Sequence, residues 1–124
     1  MVAFCAGHYC CLQPERLDAQ HEYDIRADVW SVGISLVELA RGEYPYRGCN
    51  SEFEVLTRIV SDPAPELKTE EGFSPLFCDF VSRCLTKDYR ARPKYKELLE
   101  HSWLEYYETA NVDVAAWYQT IVQS

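Results

Sequence analysis

The stretch Asp28-Val29-Trp30-Ser31-Val32-Gly33-Ile34-Ser35-Leu36-Val37-Glu38-Leu39-Ala40 decides how this chain is read. It is the longest uninterrupted helix candidate. Its apolar residues, Val29, Trp30, Val32, Ile34, Leu36, Val37, Leu39 and Ala40, fall on every side rather than along one stripe. A helix that is apolar all round is normally buried. It is too short, and with Asp28, Ser31, Ser35 and Glu38 too polar, to span a bilayer, which takes about 20 mostly apolar residues. The rest of the chain is therefore expected to wrap around it. Arg41-Gly42 suits its end, because a basic side chain favours the negative end of the helix dipole and glycine accepts the left-handed conformation past the last turn.

The 124 residues make one domain, and a chain of that length buries roughly two thirds of the surface it exposes when unfolded. An apolar fraction of 48% beside 26% charged residues argues for a folded core rather than wholesale disorder. Twelve Lys and Arg against twenty Asp and Glu give a formal charge of −8. That charge repels phosphate backbones and anionic lipid heads, so neither nucleic acid nor membrane is expected as a partner. The six cysteines, Cys5, Cys10, Cys11, Cys49, Cys78 and Cys84, are unevenly spaced, and Met1-Val2-Ala3-Phe4 does not resemble a secretory leader. A reducing, intracellular setting with free thiols is expected.

Residues 1 to 23 show no sustained period and read as loop, with one helical turn allowed after Pro14. Cys5, His8, Cys10 and Cys11 could be taken for metal ligands, but they lack the paired Cys-x-x-Cys of a structural zinc site, and partly buried thiols are the expected reading. Asp24, or Asp28 itself, can accept from the free amides at the start of the central helix. Asp28 has a second reading, as a carboxylate that also holds a neighbouring loop. After the turn-rich Gly42 to Gly48, Ser51-x-x-Glu54 predicts a capping box opening a helix to about Val60, with Phe53, Leu56, Ile59 and Val60 as its apolar face. Asp62-Pro63-Ala64-Pro65 ends it.

A third helix is expected from Ser74 and Pro75, burying Phe77, Phe80, Val81, Cys84 and Leu85. A fourth is expected from Lys94 to about His101, burying Tyr95, Leu98 and Leu99, with His101 at its C-terminal end. In the tail, Asp113 can cap a helix presenting Val114, Trp117, Tyr118 and Ile121 at i, i+3, i+4 and i+7. That face is expected to dock back on the core, with a partner protein as the alternative. The five glycines, Gly7, Gly33, Gly42, Gly48 and Gly72, are scattered and form no phosphate loop. No Ser, His and acid stand in a nucleophile arrangement.

Four stretches in order resemble the C-terminal lobe of a protein kinase. Pro14-Glu15 is similar to the end of the Ala-Pro-Glu motif that closes the activation segment. Asp28-Val29-Trp30-Ser31-Val32-Gly33 matches the Asp-x-Trp-Ser-x-Gly of its central helix. Gly42-Glu43-Tyr44-Pro45-Tyr46 resembles the Gly-x-x-Pro-aromatic loop, and Cys84-Leu85-Thr86-Lys87-Asp88 with Arg92-Pro93 resembles the late arginine motif. Tyr23 to Trp30, Phe53 to Thr57, Arg92 to Tyr95 and Val112 to Trp117 narrow the resemblance to the dual-specificity MAP kinase kinases, in the branch that activates c-Jun N-terminal kinases.

The resemblance implies a mainly α fold, the partial helical C-lobe of the protein-kinase fold. Residues 1–12 would be a remnant of the activation segment or a non-native start, 13–104 the partial lobe, and 105–124 a docking tail with an amphipathic helix. It implies that Asp28 holds the backbone of a catalytic loop. Trp30 and Gly33 belong to the same motif. Glu15 is implied to pair with Arg92, a buried ion pair whose breaking costs about 3 to 5 kcal/mol. Val114, Trp117, Tyr118 and Ile121 are implied to meet upstream kinases and scaffolds. The complete parent would use ATP and Mg to phosphorylate Thr and Tyr of a stress-activated MAP kinase, in a cytoplasmic setting with a nuclear one as the second option.

The chain departs from that pattern where the chemistry lies. A glycine-rich loop over phosphates, a strand lysine with its helix glutamate, a catalytic-loop aspartate and asparagine, and an Asp-Phe-Gly aspartate are all missing from its sequence. Ala3 stands at the second of the family's activation-loop hydroxyls. Cys11-Leu12-Gln13-Pro14-Glu15 replaces Tyr-Met-x-Pro-Glu. The expectation is that this chain by itself holds no catalytic, cofactor or metal residue and is inactive. The alternative is a non-catalytic module that binds upstream kinases or scaffolds.

Overall fold

The computed structural model describes residues 13–14 and 26–123. From Arg26 on, the described residues form α1 Arg26–Arg41, α2 Glu52–Ser61, a short 3-10 turn Thr69–Glu71, α3 Pro75–Cys84, α4 Tyr95–Leu99, α5 Ser102–Thr109 and α6 Val114–Val122. No strand occurs among the described residues. The mainly α fold expected of a helical lobe is what forms.

Helix α1 is the centre of the molecule, packed most closely against α3, while α5 packs on α3 and α4. Val29, Trp30, Ile34 and Val37 are essentially inaccessible. The serines of this helix satisfy themselves by bonding back one turn, Ser31 Oγ to the Ala27 carbonyl and Ser35 Oγ to that of Ser31, which lets polar residues sit in a largely buried rod. Its burial is incomplete, since Val32 and Leu39 lie on an open side. Gly42 ends it as expected, with φ +76° and its N–H on the Glu38 carbonyl at 2.8 Å. Gly33 does a different job. A Cβ built there would lie 2.7 Å from Leu85 and 2.8 Å from the Cys84 side chain, so the missing methyl is what lets α1 and α3 approach.

The local caps follow the sequence closely. Ser51 accepts from the Glu54 amide at 3.2 Å, and the Glu54 carboxylate reaches back to the amide of Asn50, one residue before the cap. Ser74 accepts from Phe77 ahead of Pro75, and Asp113 from Ala116. Asp28 is no cap: α1 begins at Arg26, and Asp28 sits exposed in its first turn. Asp24 lies outside the described residues.

Two apolar clusters flank the α1–α3 contact. One gathers Trp30, Ile34, Val37, Tyr46, Val55, Ile59, Leu67, Val81 and Leu85; the other gathers Val29, Phe80, Cys84 and Leu98, with Trp103 and Leu104 against them. Three expectations about burial fail. On α2 the buried pair is Val55 and Ile59, whereas Phe53 is 74% exposed and Val60 also faces out. On α4 only Leu98 is buried, with Tyr95 and Leu99 outside. Both helices touch the core along a narrow line, so only one row of side chains is covered. The third is the tail: α6 leaves Val114, Trp117, Tyr118 and Ile121 at least half exposed, so its apolar face does not dock on the core.

Candidate functional site

Arg92 is the most deeply buried charged residue described, at 1% exposure. The loop after α3 delivers it beneath the start of α1. There Nε donates to the Thr86 carbonyl at 2.8 Å, one terminal nitrogen to the Arg26 carbonyl at 2.9 Å and the other to Lys87 at 3.2 Å. Its guanidinium carbon lies 5.2 Å from the centre of the Trp30 ring. A planar fork with five donors can fasten three carbonyls and stack on an indole together, which an ammonium cannot. Arg92 and Trp30 thus join two of the motif stretches physically. Glu15, the expected ion-pair partner, lies outside the described residues. Gln13 is buried and Pro14 half-buried.

Around this centre, Lys87 donates from Nζ to the carbonyls of Val60 and Asp62, tying the loop after α3 to the end of α2. Arg26 and Arg90 both lie over the Tyr89 ring. Asp28 faces Tyr95 of α4: burial first, and then the neighbouring Asp28 carboxylate, hold the Tyr95 hydroxyl above the usual phenol value. Cys84, beside Gly33, has its thiol pushed up to about 12 by burial, which makes it inert. Cys49, Cys78 and Cys84 are free thiols. The candidate metal ligands Cys5, His8, Cys10 and Cys11 lie outside the described residues.

A second cluster was not legible as such. His101 does not end a helix; it begins one. As the N-cap of α5 its Nδ1 accepts from the Trp103 amide at 3.0 Å, and its Nε2 lies 2.6 Å from Asp79 Oδ2. Hydrogen bonding from His101, and then from Arg83, holds Asp79 below the usual carboxylate range. The helix expected from Lys94 to about His101 stops at Leu99, and Glu100-His101-Ser102 breaks it without a Gly or Pro. The available signal was Ser102-Trp103-Leu104, which starts a new apolar period. Trp103 then stacks against Phe77 and Phe80 at 5.0 and 4.8 Å between ring centres. Gly72, Phe73, Ser74, Phe77, Trp103 and Tyr107 enclose an aromatic groove of about 380 Å³.

Among the described residues no group of three His, Cys, Asp or Glu could hold a metal ion. No helix among them is long and apolar enough to cross a membrane.

The protein kinase domain model matches residues 4–104. Dual specificity mitogen-activated protein kinase kinase 7 of Rattus norvegicus is 52% identical over 121 residues, covering 94% of this chain and 29% of the rat protein. Dual specificity mitogen-activated protein kinase kinase hemipterous of Drosophila melanogaster is 52% identical over 119 residues, 94% of this chain and 10% of the fly protein. Dual specificity mitogen-activated protein kinase kinase mek-1 of Caenorhabditis elegans is 43% identical over 119 residues, 94% of this chain and 33% of the worm protein. The chain spans a third or less of these relatives. With the motif order, the Arg92–Trp30 junction and this match in agreement, the chain belongs to the protein kinase domain family, beside the dual-specificity mitogen-activated protein kinase kinases.

Proposed function

We propose that the chain is the helical-lobe portion of a MAP kinase kinase of the c-Jun N-terminal kinase branch. The complete enzyme would use ATP and Mg to phosphorylate Thr and Tyr of a stress-activated MAP kinase. The carrying observation is the buried Arg92, which bonds the start of α1 and lies over Trp30, and so joins motif stretches far apart in the sequence. On this reading Asp28 supports a catalytic loop and Glu15 ties an activation segment to Arg92, neither of which the chain performs as chemistry by itself. The chain alone is proposed to be inactive, because its sequence lacks the glycine-rich loop, the strand lysine with its helix glutamate, the catalytic-loop aspartate and asparagine, and the Asp-Phe-Gly aspartate.

The test has two arms. The purified 124-residue chain, given ATP·Mg and a c-Jun N-terminal kinase, is expected to transfer no phosphate; measurable transfer would overturn the inactivity. A chimera that places the N-terminal part of rat MAP kinase kinase 7 ahead of Gly7 is expected to phosphorylate that kinase. A folded but inactive chimera would count against the assignment.

A second reading is favoured by α6, whose nine residues carry no charge and leave Trp117 at 59% exposure. On this reading the tail captures an upstream kinase or scaffold without catalysis. Pull-down of a MAP kinase kinase kinase by the chain, lost in Trp117→Ala, supports it; equal capture by the variant sinks it.

A further inference from the structure

The two ring nitrogens of His101 have incompatible requirements once a proton is added. A backbone N–H can only donate, so Nδ1, 3.0 Å from the Trp103 amide, has to be a bare acceptor. Nε2, 2.6 Å from the Asp79 carboxylate, then carries the hydrogen. One neutral tautomer satisfies both contacts. The ring is held in place for this: its side chain is only 8% exposed, and it meets the edge of Phe80 at 5.2 Å.

Protonation leaves these contacts unequal. The charged groups facing the ring are Asp79 and Arg83 of α3 and, across a shared hollow of about 260 Å³, Glu97 of α4 and Glu100 just beyond it. From α5, Glu105 reaches His101 through its backbone amide. A charged imidazolium keeps, and strengthens, its bond to Asp79. Its Nδ1–H, however, now points at the Trp103 N–H, and a positive charge sits at the positive end of α5. The cap is lost while the ring stays put.

We propose that His101 is a proton-controlled cap: neutral, it fastens the first turn of α5; protonated, it holds to α3 through Asp79 and releases that turn. The consequence falls on Trp103, whose amide is the capped group and whose ring forms one wall of the aromatic groove with Phe77 and Tyr107. The groove between α3 and α5 would thus loosen when the ring takes up a second proton. This does not depend on the kinase reading, because it rests only on contacts within α3, α4 and α5.

The test uses the full chain labelled with nitrogen-15. At pH 8 the His101 spectrum is expected to show an unprotonated Nδ1 and a protonated Nε2; a protonated Nδ1 overturns the proposal. Hydrogen exchange at the Trp103 amide, corrected for intrinsic rate, is expected to lose about five-fold of its protection as the ring protonates in the same spectra, the size of a lost N-cap. In His101→Asn, whose side-chain oxygen caps without titrating, that loss is expected to vanish. A flat wild-type profile, or the same loss in His101→Asn, overturns it. If that variant fails to fold, the wild-type tautomer and exchange profile still decide.

Discussion

The Arg92 junction and the α6 tail use tryptophan in opposite ways. Trp30 is wholly inaccessible beneath a guanidinium that bonds three carbonyls, whereas Trp117 stands 59% exposed on a helix without charge. The first is held between α1 and the loop after α3. The second stands on a helix whose start is capped by Asp113. A cap can start a helix, but covering its apolar face takes a second surface. Residues that hold the fold together thus lie around α1, and the exposed apolar Trp117 and Tyr118 lie near the end of the chain.

The sharpest way to break that contrast is at Arg92. Arg92→Ala strands three carbonyls and empties the space over Trp30, and is expected to cost about 3 kcal/mol or more, read as a lowered urea midpoint. Arg92→Lys should recover only part, since an ammonium cannot make the same fork. Next comes Gly33→Ala, whose new methyl runs into Leu85 and Cys84. Overpacking there is expected to cost about 1 to 3 kcal/mol, and trimming Leu85 to Ala in the same chain should relieve part of the clash.

A smaller effect is expected at Asp79. Its folded-state pKa lies below the unfolded value, so its contribution is present above the unfolded pKa and is lost as pH falls through the folded one. Half-exposed as it is, the carboxylate is worth less than about 1 kcal/mol. Asp79→Asn should flatten the corresponding part of the acid limb in urea titrations run between pH 6 and pH 2. The smallest change in stability is expected from Trp117→Ala, within about 0.5 kcal/mol. A large loss there would mean that the tail is packed after all, and the contrast between the two tryptophans would collapse.

How far the residues alone carry the reading differs from element to element. Ser51, Ser74 and Asp113 were legible as caps because a cap bonds an amide two or three residues away and needs nothing else. Gly42 was legible for the same local reason. The exposure of Phe53 and Val60 is not legible, because a helical period names candidate faces without naming what lies across from them. The cap at His101 is not legible either, because the break after α4 carries no Gly or Pro. The role of Gly33 as the point where α1 meets α3 could not be read from α1 alone, since it depends on Leu85 and Cys84, some fifty positions further on.

What the sequence by itself determined is the local frame and the kinship. The central helix and its glycine end, the starts of α2, α3 and α6, and the ordered motifs at Pro14-Glu15, Asp28 to Gly33, Gly42 to Tyr46 and Cys84 to Pro93 all rest on neighbours in the chain or on their order. Only the tertiary structure decided which row of α2 is buried, which carbonyls Arg92 holds, that Asp28 turns to Tyr95, that His101 joins Asp79 to α5, and that α6 remains uncovered. Hydrogen bonds within one turn are set by residue type and spacing. Burial and charge pairing are set by what the rest of the chain brings to the other side.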